Sequence, residues 1–222
     1  MFFNRKPPLT KLCERVSLGA LENVAMDDGF LIRRNYNLGG DLKHPKRSVI
    51  IWLIMSLAAA KFWNEANTTD NPDLGLPDNP FKKTNSDVIV SEALIFFWYS
   101  FSLHVVHMKQ QQQLTKADIE AVGSAGAVMM RAVKETTGWP IVGIFDARTD
   151  EYEHRNKTQN STEVFCRVIL RSLGKQAITD PYCHVDLESS LKVCLRTMIH
   201  MTARLPGYFK WYKTIVQHYP LD

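Results

Sequence analysis

Between Val88 and Met108 the chain carries a single formal charge, Glu92. As one helix, that stretch is long enough to cross a bilayer. Glu92, His104 and His107 would each be costly in hydrocarbon, however. A helix ringed by other helices satisfies the same residues without that cost. A second apolar run, residues 49–60 (VIIWLIMSLAAA), is too short to span a membrane. It is also apolar on most of its surface, so it too needs neighbours on nearly every side. The expectation is a bundle built around these two segments, with no membrane insertion.

The remaining patterns agree with helices. Leu9, Leu12, Val16, Leu21 and Val24 fall at near-helical intervals over residues 8–25. Residues 26–44 read as loops around a short element. Pro45 suits the first turn of a helix to about Asn67. Residues 67–86 are crowded with Asn, Asp, Gly and Pro, which predicts one long polar loop. Ser86 or Asp87 caps the next helix, to about Gln112. Thr115 and Asp118 resemble a capping box opening a helix to about Thr137, which Gly138 can end. Asn160 to Glu163 offers a cap for a helix to Leu173, closed by Gly174. A further helix follows Asp180-Pro181 and runs to about Ala203. After Pro206-Gly207 comes an aromatic segment with Tyr208, Trp211 and Tyr212 on one helical face, expected to lie over the core as a lid.

Residues 141–145 (IVGIF) have the composition of a short strand. Continued as a helix, positions 141, 144, 145, 148, 152 and 155 share one stripe, and no other segment offers a strand partner. The helix is preferred. The fold class expected is all-α: a single domain over residues 1–222, a helical bundle of about six or seven helices with one long polar loop. With 222 residues, 45% hydrophobic and 23% charged, the chain can bury one sizeable core.

Charge is uneven along the chain. Residues 1–50 hold 9 Lys or Arg against 5 Asp or Glu, and the remainder holds 18 of each. The amino-terminal excess could meet phosphates, but it lacks the dense basic stripe and motif of a nucleic-acid domain. The four cysteines, Cys13, Cys166, Cys183 and Cys194, form no C-x-x-C pair and no disulfide framework. With no apolar run of signal-peptide length at the amino terminus, a cytoplasmic location is expected.

Several side chains stand where chemistry could sit. Glu92 has Val88, Ile89, Ile95 and Phe96 as its helical neighbours, so its carboxylate must be protonated, paired or metal-bound. Arg148 sits on a stripe with Ile141, Ile144, Phe145 and Tyr152. A buried bidentate pair between Glu92 and Arg148 across a helix interface would answer both. Asp146, Asp150 and Glu153 share a helical face, and Glu151 with His154 forms a Glu-x-x-His of the kind used by carboxylate-bridged bundles. No second Glu-x-x-His accompanies it, and a solvated acidic face explains the same residues. His104 and His107 are also spaced to share a ligand, or to close a helix end.

Residues 121–127 (AVGSAGA) place two glycines inside a helix, each costing about 0.8–1 kcal/mol relative to Ala. Close approach of a second helix, from this chain or a second copy, would offset that. No nucleophile elbow, Walker loop or G-x-G-x-x-G occurs. The sequence therefore points to a non-catalytic binding module, with a homodimer as the expected assembly and no cofactor expected. The alternatives are a divalent-metal enzyme using Glu92, His104, His107, Asp146, Asp150, Glu151 and His154, and anion or nucleic-acid binding through the basic amino-terminal region.

Overall fold

The computed structural model describes residues 9, 11, 13, 44–68, 86–111, 114–138, 141–155, 161–172 and 206–214. Among them are six helices and no strand: α1 (Pro45–Thr68), α2 (Ser86–Gln110), α3 (Lys116–Thr137), α4 (Ile141–Arg155), α5 (Ser161–Ser172) and α6 (206–214). The fold is an all-α bundle. Residues 141–145 form the first turns of α4, as their continuing helical period predicts. Most of the expected helix over 8–25, nearly all of the long polar loop, and the expected helix ending near Ala203, with Cys183, Cys194, His184 and His200, lie outside the described residues.

The two apolar segments take the central places. In α1 every residue from Ser48 to Ser56 is buried, and in α2 every residue from Ile89 to Phe97. Neither helix has a polar stripe to turn outward, so each must be covered all round. Among the described helices only α2 is long and apolar enough to cross a membrane, and 72% of its most apolar window is buried inside the bundle. Phe96 stacks on Phe165 of α5 at 4.4 Å, and Phe165 meets Phe62 of α1 edge-on at 5.6 Å. Phe96 also faces Tyr152 of α4 at 5.9 Å. Four helices thus share one aromatic centre within a continuous apolar core.

Local chemistry sets the helix ends. His44 precedes α1 with φ 51°, a left-handed conformation, and its carbonyl accepts from the Ser48 amide at 3.0 Å and the Ser48 hydroxyl at 2.9 Å. Gly138 ends α3 at φ 75°, where a side chain would be strained, and its amide donates to the Lys134 carbonyl at 2.9 Å.

The small residues of α3 divide between two faces. Gly126 lies against the indole of Trp98 on α2: a Cβ there would come within 2.5 Å of Trp98 Nε1. That indole N–H donates to the Val122 carbonyl at 2.9 Å. Gly126 is therefore explained by packing inside the chain. Gly123 and Ala127 are exposed, and a Cβ at Gly123 would meet nothing within 4 Å.

The aromatic segment is helical and covers the carboxy-terminal half of α2. Tyr208 meets Phe97 at 6.2 Å, while Phe209 and Tyr212 each meet Phe101 at 5.2 Å.

Candidate functional site

Two carboxylates are sealed in the core. Glu92 sits in the second turn of α2, past the first-turn amides, where the backbone amides are already spent on the helix. Its partner is Arg148 of α4. Arg148 Nε donates to both Glu92 oxygens at 3.2 and 3.0 Å, and Nη2 donates to Oε1 at 2.9 Å. Arg148 Nη1 reaches Glu151 at 3.4 Å on its own helix. Burial works against the guanidinium charge, but the hydrogen bonds and charge of Glu92, then the charge of Glu151, raise the Arg148 pKa. The structure thus brings together the two residues whose sequence surroundings require a partner.

Tyr152 lies one turn further along α4. Its ring stacks on Tyr99 at 5.0 Å, and its buried hydroxyl has no hydrogen-bond partner among the described residues. Burial, then the negative charge of Glu92, pushes that phenol well above its usual pKa. It stays protonated and acts as part of the packing.

The second carboxylate, Asp118, opens α3. The Thr115 amide and hydroxyl both donate to its Oδ2 at 2.8 Å, so the sequence expectation of a cap is met. Two further donors come from distant segments. Arg47 Nη1 of α1 and the Tyr212 hydroxyl of α6 both reach Oδ1 at 2.7 Å. Burial pushes the Asp118 carboxyl up. The hydrogen bonds from Tyr212 and Thr115, with the Arg47 charge, outweigh it and leave the pKa below the usual aspartate value. Burial and the Asp118 charge push Tyr212 far up. Beside this node, His44 Nε2 lies 3.2 Å from Glu120, which Lys116 also approaches at 3.5 Å.

This node has no counterpart among the sequence candidates. Arg47 counts there as one of nine basic residues, Asp118 as a cap and Tyr212 as part of an aromatic face. No local pattern joins positions 71 and 94 residues apart.

The metal candidates are not brought together. Glu92 is engaged by Arg148, and Glu151 by the same arginine. His104 turns toward α6 and stacks on Phe209 at 3.9 Å with 9° between the planes. Burial, then the nearby His107 and Lys213, lowers its pKa. His107 points away, and its Nε2 accepts from the Gln111 amide at 2.8 Å. Asp146, Asp150 and Glu153 are exposed on the outer side of α4. His154 lies in α4, with its side chain outside the described atoms. Among the described residues no three His, Cys, Asp or Glu side chains converge to hold a metal ion. Most of the basic amino-terminal region also lies outside them, and Arg47 is occupied by Asp118.

The described residues form a concavity on the outer surface where α3 meets α4. A groove of about 850 Å³ runs between the carboxy-terminal half of α3 and the start of α4. Ala127, Met130, Ile141 and Val142 give it an apolar floor, with Arg131, Lys134 and Glu135 around it. Val142, at 55% exposure, is the most exposed large apolar side chain described.

Comparison with known protein families, with curated proteins and with solved structures yields no match.

Proposed function

We propose that this chain is a non-catalytic interaction module that binds a protein partner through the α3–α4 groove. The observation that supports this is the groove itself: an apolar floor left open to solvent, bordered by both signs of charge. Apolar surface with a polar rim is the usual composition of a protein-binding patch. The two buried carboxylates fit the same reading, because each is engaged in joining helices and neither faces the groove lining.

Native mass spectrometry of the untagged protein, with metal analysis of the same sample, tests this. The expected species is polypeptide alone or in a protein complex, without stoichiometric metal. One divalent ion per chain, lost in Glu92→Gln, would replace the interaction module with a metal-dependent enzyme.

A further inference from the structure

Helix α4 shows solvent a stripe made of Val142, Asp146, Asp150 and Glu153. Helix α3 shows a stripe made of Gly123, Ala127, Arg131 and Lys134. Both follow the same spacing, two steps of four residues and one of three, so each set shares one helical face. Aligned in chain order, they are complementary at three of the four positions, with Asp146 falling beside Ala127. The α3 stripe begins with two small residues and ends with two cations. The α4 stripe begins with an exposed valine and continues with three carboxylates. The groove lies where these two helices meet, and Val142, Ala127, Arg131 and Lys134 all line it.

We infer that the partner bound at this groove is a second copy of the chain, with α4 of each copy lying parallel to α3 of the other. In that alignment Val142 packs over Gly123, Asp146 over Ala127, Asp150 faces Arg131 and Glu153 faces Lys134. A two-fold axis forms the contact twice, as an isologous interface requires. Gly123 has the open space that a close helix approach needs, since an added Cβ there meets nothing within 4 Å. The apolar and small positions supply contact area. The charged positions favour the parallel alignment, because the antiparallel one would set Lys134 against Val142 and Glu153 against Gly123. This inference rests on the interaction-module reading and names its partner.

Sedimentation velocity over a range of protein concentrations and salt tests it. The wild-type chain is expected to dimerise, with the dimer weakening as salt rises. Gly123→Leu with Ala127→Leu is expected to leave helical content unchanged and to weaken the dimer about tenfold or more. Arg131→Glu with Lys134→Glu gives one monomeric variant, and Asp150→Lys with Glu153→Lys gives another. Mixed together, those two charge-swapped chains recover a dimer containing one of each. A wild-type chain that stays monomeric throughout overturns the inference, as does a dimer indifferent to both sets of substitutions. Either result leaves the interaction module standing with a different partner, whereas stoichiometric metal in the native spectrum overturns the module itself.

Discussion

Glu92 and Asp118 are held in opposite ways. Glu92 is placed in the second turn of α2 among apolar side chains, and a single arginine supplies its buried contacts. Asp118 stands at a helix start, where free amides and the positive end of the helix already favour a negative charge. It then collects donors from α1 and α6 as well. The contrast teaches that a buried charge can serve as a clamp between two helices or as a hub for several. The clamp depends on one partner of matching shape. The hub distributes its stabilisation over short neutral and charged hydrogen bonds, and so ties α1 and α6 to the start of α3.

The largest expected effect ranks the two directly. Asp118→Ala leaves Arg47 without its buried carboxylate and removes the acceptor for Tyr212 and for the α3 cap. Glu92→Ala affects only Arg148, which keeps its contact with Glu151. Each loss falls in the range of about 3–5 kcal/mol known for breaking a buried pair, with Asp118→Ala the greater. Midpoints of chemical denaturation at constant m-value measure both. A larger loss at Glu92 would reverse the ranking.

Paired replacement separates clamp from hub. Glu92→Leu with Arg148→Met removes both charges and fills similar space, so stability returns to within about 1 kcal/mol of wild type. Asp118→Leu with Arg47→Met does not recover in the same way, because the Thr115 amide and the Tyr212 hydroxyl remain without their acceptor. Equal recovery at both sites would show that Asp118 is no more than a second clamp.

Tyr212→Phe trims the hub by one donor while keeping the ring against Phe101. The expected cost is about 1 kcal/mol, with amide exchange rising first in residues 206–214. An unchanged exchange pattern would mean that α6 is held by its rings alone.

The gentlest probe is acid. The Asp118 pKa is below its ordinary value of 3.8 in the folded chain, so the folded state holds fewer protons there than the unfolded one. Its contribution is complete above that ordinary value and is lost as pH falls through the folded value. Asp118→Asn is expected to flatten this part of the acid limb in denaturation measured against pH. A limb of unchanged slope would assign acid sensitivity to other carboxylates.

Much of the fold was legible because helical period, caps and turn residues agree along the chain. Thr115, Asp118 and Gly138 mark the ends of α3 in the sequence and in the structure alike. The clamp was legible for the same reason: Glu92 and Arg148 each interrupt an apolar stripe, and an interruption advertises its need for a partner. The hub was not. Asp118 at a helix start is unremarkable locally, and its other partners are supplied by the tertiary fold. The histidines show the reverse failure. Their spacing at 104 and 107 is visible, but the direction of each ring depends on where Phe209 and Gln111 lie. The small residues of α3 were flagged by helix propensity, yet only the position of Trp98 separates Gly126, which is packed, from Gly123, which is open.

The contact between Tyr212 and Asp118 also orders events during synthesis. It joins positions 94 residues apart, so α6 leaves the ribosome long after α2 and α3 have emerged. Throughout that interval Phe97 and Phe101 lack their cover, and the growing chain displays an aromatic strip at the stage when collisions with other nascent chains are most damaging. A premature stop before residue 206 would make that passing exposure permanent.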